Sequence, residues 1–338
     1  MRLMRGKAVS IALALAVLAT AAAGCGETQS KRAVDARTEV LRFFAVDAPI
    51  VARLQPDPPA AVVALDDAGG AAPGWTEFRK LVSGPLEAAG LGRPQLARLV
   101  RPSEEIEGVD AAALALGVAT PAALAAQRPL LVLATDQADL LSRLLRQASD
   151  RGLVRRAGGL DEALLYRSPG ASYAVRDGVL VSAARLSDVR AAIERRDGDS
   201  DKQLDEDVVE SLFNDLATQG PLLVYANLAS VREADPGLRT LSRQAPWIGM
   251  LGPSAATVRA VGGSLQIEDF SKTTSGDLSS AELPIGSTPT PFTITASSAD
   301  LLIPQPGAIN TLLGGLAPIT GEATASSDEV RLHVTVGP

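Results

Sequence analysis

The chain has one cysteine and one histidine among its 338 residues, and only 3% of it is aromatic. A single cysteine excludes an intrachain disulfide, so nothing covalent braces the fold. One histidine beside one cysteine leaves no ligand set for a zinc centre. The sole imidazole, His333, lies in Leu332-His333-Val334, where period-2 alternation places it on the surface of a strand. A general base there would need a nucleophile and an orienting carboxylate around it. The Ser-x-x-Lys pair is missing as well, because Glu77, Asp199 and Asp269 stand three residues before Lys80, Lys202 and Lys272. With two Trp, three Tyr and six Phe, the core has to be drawn from Ala, Leu and Val. Such a core buries less area per residue and gains stability from extent. The chain also lacks a basic excess: its formal net charge is −7, which argues against nucleic acid as a partner.

What the chain does have begins at its N-terminus. Arg2, Arg5 and Lys7 precede an almost unbroken apolar run, Ala8 to Ala23, that ends in small residues, the layout of a secretory signal peptide. The run is short for a membrane span, which takes about 20 apolar residues. Ala22-Ala23-Gly24-Cys25 resembles the lipobox of bacterial lipoproteins, in which a peptidase cuts before a cysteine already linked to diacylglycerol. That resemblance makes Cys25 the lipidation site and the mature N-terminus, with Ala22, Ala23 and Gly24 as the processing residues. An ordinary cut after an Ala-x-Ala pattern would instead leave Cys25 as a free thiol; a lone exposed cysteine in an oxidising compartment favours the lipid. Removing residues 1–24 takes the formal net charge to −10. Residues 25–36 are small and polar and are predicted to be a tether between membrane and body.

The body reads as α+β, with mixed or antiparallel sheets packed by amphipathic helices. Pro49 to Leu54, Ala113 to Val118 and Leu130 to Ala134 are predicted strands. A helix is predicted from Ala138 to Arg151, its apolar face carrying Leu141 and Leu145 and its end marked by Gly152. Leu164 to Arg167, Ser172 to Arg176 and Val179 to Ala183 form a predicted meander whose last turn is Asp177-Gly178, since that turn needs positive φ at both positions. Ser187 is the predicted cap of a helix over 188–196, and Asp207 with Glu210 a capping box for the next. A helix from Trp75 to about Ala89, a strand Leu222 to Ala226, a loop over 271–291 and a final strand Val330 to Val336 complete the pattern.

Two stretches repeat. Gly220-Pro221-Leu222-Leu223-Val224-Tyr225 follows Ala48-Pro49-Ile50-Val51-Ala52-Arg53 in pattern, and Ala299-Asp300-Leu301-Leu302 repeats Ala138-Asp139-Leu140-Leu141. The offsets, 172 and 161 residues, predict two related units, 37–219 and a more divergent 220–338.

The segments Asp47-Ala48-Pro49, Leu131 to Asp136, Leu165-Tyr166-Arg167, Tyr173 to Val181 and Leu222 to Leu228 together resemble domain-of-unknown-function family 3352 across about residues 40 to 230. These are strand and turn residues, so the resemblance speaks to fold. It implies an exported or membrane-tethered bacterial envelope protein and transfers no catalytic residue.

Among the remaining candidates, Asp197-Gly198-Asp199-Ser200-Asp201 starts like a calcium loop, but Lys202 and Val208 stand where Gly and Glu are required, and a solvated loop between helices explains it. Gly69-Gly70, Gly262-Gly263 and Gly314-Gly315 lack phosphate-loop spacing and read as turns. Arg155-Arg156 and Arg195-Arg196 read as solvated points, and the acid pairs Asp66-Asp67 and Glu104-Glu105 are the residual material for an enzyme. The expectation is therefore a protein held at the extracytoplasmic face of the cell membrane by an N-terminal lipid. It would act as a noncatalytic binding or interaction module for a protein partner, or alternatively as a carrier of an apolar ligand such as a lipid, with no cofactor and no metal.

Overall fold

The computed structural model describes residues 30–54, 113–274 except 127, 151, 153, 161, 219, 221, 262 and 263, then 290–294, 319–326 and 329–336. The predicted helix at 75–89, the glycine pairs, both acid pairs and the second copy of the Ala-Asp-Leu-Leu tetrad lie outside these residues, as do Ala22, Ala23, Gly24 and Cys25.

Thirteen strands form one sheet in which every described pairing is antiparallel, so the expectation of an α+β body with mixed or antiparallel sheets holds in its antiparallel form. In chain order the strands are β1 Ile50–Leu54, β2 Ala113–Val118, β3 Leu130–Ala134, β4 Arg155–Leu160, β5 Ala163–Ser168, β6 Ala171–Arg176, β7 Val179–Ala183, β8 Leu222–Asn227, β9 Leu251–Val261, β10 Ser264–Thr273, β11 Thr290–Ile294, β12 Ile319–Ala325 and β13 Glu329–Val336. Their order across the sheet is β11-β12-β13-β10-β9-β8-β1-β2-β3-β7-β6-β5-β4. The sheet is centred on β1 and β8, which pair with Ala52 opposite Val224. Outward from β1 come β2 and β3 and then a meander in reverse order; outward from β8 come β9 and β10 and then β13, β12 and β11, likewise reversed.

Eight helices are described: α1 Ser30–Leu41, α2 Pro121–Ala125, α3 Ala138–Asp150, α4 Leu186–Asp197, α5 Glu206–Asn214, α6 Leu228–Ala234, α7 Pro236–Gln244 and α8 Pro246–Met250. Alternation along the strands turns Val51, Ala113, Ala115, Val132, Val181, Leu223 and Tyr225 to one face, where Val40 and Leu41 of α1, Val189 and Ile193 of α4, and Val209, Leu212 and Phe213 of α5 complete the main core. A satellite cluster on the opposite face joins Leu251, Ala325 and Val330 to Leu228, Trp247 and Met250. Aromatic poverty is met as predicted: most buried apolar side chains are Ala, Val and Leu.

Local signals explain most boundaries. Asp177 and Gly178 both take positive φ, 49° and 78°, the hairpin geometry their sequence requires. Gly152, at φ 70°, follows α3, and its N–H donates to Ser149 O at 2.9 Å. Thr120 caps α2 by accepting from Ala123 N at 3.2 Å, with Pro121 opening the helix.

Several expectations shift. Ser187 is not a cap: α4 starts at Leu186 with Arg185 at the cap position and no side-chain bond there. The cap of α5 is Asp205, which accepts from Asp207 N at 2.9 Å, and Glu210 is drawn away by a tertiary partner. The stretch expected as a loop from 271 starts instead as strand, since β10 runs to Thr273. Of the expected tether, residues 30–36 are helical, forming the first half of α1.

Candidate functional site

The described residues hold a polar cluster that joins α1, α5 and β1. Arg53 is the fourth residue of β1, so it points to the same face as Val51, into the main core rather than to water. Only 2% of its side chain is exposed. Glu210 of α5 accepts from Arg53 Nη1, and Phe213, one turn further along α5, lies under the guanidinium with 5.2 Å between Cζ and ring centroid. That stacking and ion pair together hold a charge that could not otherwise be buried.

On the neighbouring helix, Thr38 donates its hydroxyl to Glu206, one turn before Glu210 on α5. Arg37 stands beside Arg53. Its pKa is lowered, first by burial and then by repulsion from Arg53, with Glu210 opposing. Neither Arg37 Nε nor Arg53 Nε finds an acceptor, although both atoms are buried. Tyr225 lies on the same face of the sheet, on β8 opposite Val51. Burial pushes the Tyr225 hydroxyl up to about 12, against a smaller opposing effect from its bond with Asn227.

Two further polar clusters are described. At the end of α4, Arg196 Nε donates to Glu39 Oε1 at 2.7 Å and its Nη1 to Asp197 Oδ1 at 3.0 Å, while Arg176 pairs with Asp197. Arg195 donates from Nη1 to Phe43 O at 2.6 Å, and burial lowers its pKa more than Asp47 raises it. Asp199 pairs with Lys202 at 2.7 Å in the same loop. Of the carboxylates that began like a calcium loop, Asp197 thus pairs with Arg176 and Arg196, and Asp199 with Lys202. Arg155 and Arg156 are exposed on the edge strand β4.

On β10, Glu268 accepts from Ala217 N at 2.6 Å and from Thr218 N and Oγ1 at 3.3 and 2.9 Å, tying the end of α5 to the sheet. Phe270 on the same face lies between Lys272 Nζ and Arg331 Cζ, 5.4 and 4.4 Å from its centroid. Asp269 points the other way and accepts from Ser254 Oγ at 2.7 Å and Ser271 Oγ at 3.3 Å. Burial pushes its carboxyl up to about 6, against the pull of those two hydroxyls.

His333 is exposed on β13, in register with Glu268 on one side and Glu322 on the other. Glu268 is committed to the end of α5 and is not free to orient an imidazole. Among the described residues no three His, Cys, Asp or Glu side chains stand close enough to hold a metal ion, and no helix is long and apolar enough to cross a membrane. Sequence reasoning missed the Arg37, Arg53 and Glu210 grouping, because the three lie far apart in the chain and Glu210 read as a local cap.

No protein family and no curated protein matches the chain. Solved structures similar to it include crystal forms I, III and IV of TP0453, at 11, 9 and 10% identity with TM-scores of 0.44, 0.42 and 0.40. Each likeness covers 88% of this chain, and 91, 93 and 92% of the respective TP0453 chains.

Proposed function

We propose that this chain is a lipid-anchored envelope protein, held through Cys25 at the extracytoplasmic face of the cell membrane, and that it works there as a noncatalytic binding or interaction module. The observation that carries the reading is the junction between anchor and body. Cys25 follows a signal-like segment, and five residues later Ser30 opens α1, whose far end is packed into the main core through Val40 and Leu41. A five-residue link spans at most roughly 18 Å, so the body of an anchored protein would ride close to the headgroups.

Among the described residues, the engagement of Glu210, Glu268 and Asp197 by structural partners supports a noncatalytic role. The resemblance to domain-of-unknown-function family 3352 points to the same compartment. The strand order supports two related halves: beyond β1 come two strands and a reversed run of four, and beyond β8 two strands and a reversed run of three.

Fractionation of cells expressing the wild-type chain and Cys25→Ala tests the anchor: the variant should move from the membrane to the soluble fraction, and its retention in the membrane would end this reading. Mass spectrometry of proteins copurified with the membrane-bound form then identifies the partner.

A further inference from the structure

The geometry points to the outer face of α7 as a docking site for an acidic segment of a protein partner, with Arg239 and Arg243 as the residues that receive it. The inference deepens the interaction-module reading and rests on it for the partner being a protein. Pro236, Arg239, Thr240 and Arg243 recur at the spacing of one helical face, and among the described residues they line an open depression of about 600 Å³. Both arginines are exposed. Arg243 donates from Nε to Arg239 O at 3.3 Å and from Nη2 to Thr240 Oγ1 at 3.2 Å, which holds its side chain back along the same face. Neither guanidinium meets a carboxylate among the described residues.

Nothing within α7 neutralises the two charges. Asp235, the acid next to the helix, is buried, and its Oδ1 accepts from Gly237 N at 2.6 Å and Leu238 N at 3.2 Å, so it is spent on capping. From Pro236 to Ile267 the sequence has three arginines and no Asp or Glu, in a chain of formal net charge −7. A positive site on a negative body draws an anionic partner to that place and repels it elsewhere.

The layer to which α7 belongs favours a protein over the membrane. α1, the helix that follows the anchor, packs into the main core, whereas α7 packs on α8, whose Trp247 and Met250 close the satellite cluster on the opposite face of the sheet. The spacing of the arginines describes the partner. Their Cβ atoms, one turn apart, are separated by about 5 to 6 Å. Two carboxylates four residues apart on a helix, or at alternate positions of an extended segment about 6.6 to 6.8 Å apart, match that spacing, and each guanidinium fork takes both oxygens of one of them.

Fluorescence anisotropy of an end-blocked hexaglutamate peptide with an uncharged dye, titrated with the whole chain purified in a nonionic detergent, tests the site. Binding is expected with a dissociation constant on the order of 0.1 mM, because exposed ion pairs are individually weak. It should weaken several-fold between about 20 and 200 mM sodium chloride. Arg239→Gln combined with Arg243→Gln should weaken it at least about five-fold. Arg155→Gln combined with Arg156→Gln removes the same charge from the exposed strand β4 and should leave binding unchanged. No binding, or equal weakening by the two pairs, overturns the inference. Sedimentation with phosphatidylglycerol vesicles, against phosphatidylcholine vesicles, examines the rival: if Cys25→Ala binds the anionic vesicles through Arg239 and Arg243 and does not bind hexaglutamate, the face is a lipid surface and the inference fails. The peptide titration does not involve Cys25, so retention of Cys25→Ala in the membrane would end the anchored reading and leave the docking site standing.

Discussion

Removing the carboxylate of Glu210 should harm the fold more than removing the arginine it holds. The side chain of Arg53 is 2% exposed and that of Glu210 is 38% exposed, so the pair is asymmetric: one charge is sealed in the core and the other touches water. Glu210→Gln strands the sealed charge beside Arg37, another cation. Breaking a buried pair this way costs about 3 to 5 kcal/mol, and the solvent at Glu210 reduces that to about 2. Arg53→Met removes the sealed charge and an unmet donor while keeping an apolar stem of similar length. Glu210 then turns to water, the stacking on Phe213 worth about 0.5 to 1 kcal/mol is lost, and the net cost is at most about 1 kcal/mol. The double variant should cost less than the sum of the two, with a coupling of about 1 to 2 kcal/mol. Urea unfolding at pH 7 reads these values from shifts in midpoint at constant slope. High salt should change them little, since the sealed charge is screened poorly. An Arg53→Met penalty larger than that of Glu210→Gln, or two additive penalties, would refute the reasoning.

The remaining predictions concern other parts of the sheet. Asp269 is an acid whose pKa in the folded state is raised from 3.8 to about 6, so the native state binds more protons than the unfolded one between those values. Stability therefore falls as pH rises from about 4 to 6 and then levels, by up to about 3 kcal/mol; Asp269→Asn should flatten this fall in urea midpoints taken from pH 4 to 8, and parallel profiles would contradict it. A Cβ on Gly117 would lie 2.9 Å from both Phe44 Cε1 and Val51 Cα and closer still to Ile50 O, so Gly117→Ala should lower stability by about 1 to 3 kcal/mol, visible as a drop in Tm. Gly178→Ala meets positive φ and the Thr135 carbonyl at once and should cost about 1 to 3 kcal/mol; Gly152→Ala, with positive φ and open space around it, should cost less. An equal loss at the two positions would show that the close approach to Thr135 is unimportant.

Where one feature of the sequence decides the local backbone, the fold was legible. Asp177-Gly178 announced its hairpin, apolar runs announced β2 and β3, and the alternation in Val330 to Val336 announced β13. Strands without such a pattern were not. In β4, Arg155-Arg156-Ala157-Gly158-Gly159-Leu160 is an exposed edge with a register shift between Arg156 and Gly158, so neither apolar alternation nor β-branched residues mark it. β9 is long, holds three Ala, and contains Pro253, which argues against a strand when read locally. The cluster around Arg53 was illegible for another reason. A charged residue in a strand reads as solvent-facing, and a Glu three residues after an Asp reads as a capping box; only the tertiary contact with α5 sets Glu210 and Phe213 against the inward Arg53. Local rules fail there because the partners are 157 residues apart.

The claim on which the functional account rests is that Cys25 is the lipid-bearing N-terminus of the mature protein. Mass spectrometry of the N-terminal peptide from the membrane-purified chain tests it directly. The account predicts a peptide beginning at Cys25 that carries the mass of a diacylglyceryl group on sulfur, with or without a further acyl chain on nitrogen. A peptide that begins elsewhere, or one that holds Cys25 as a free thiol, would contradict it.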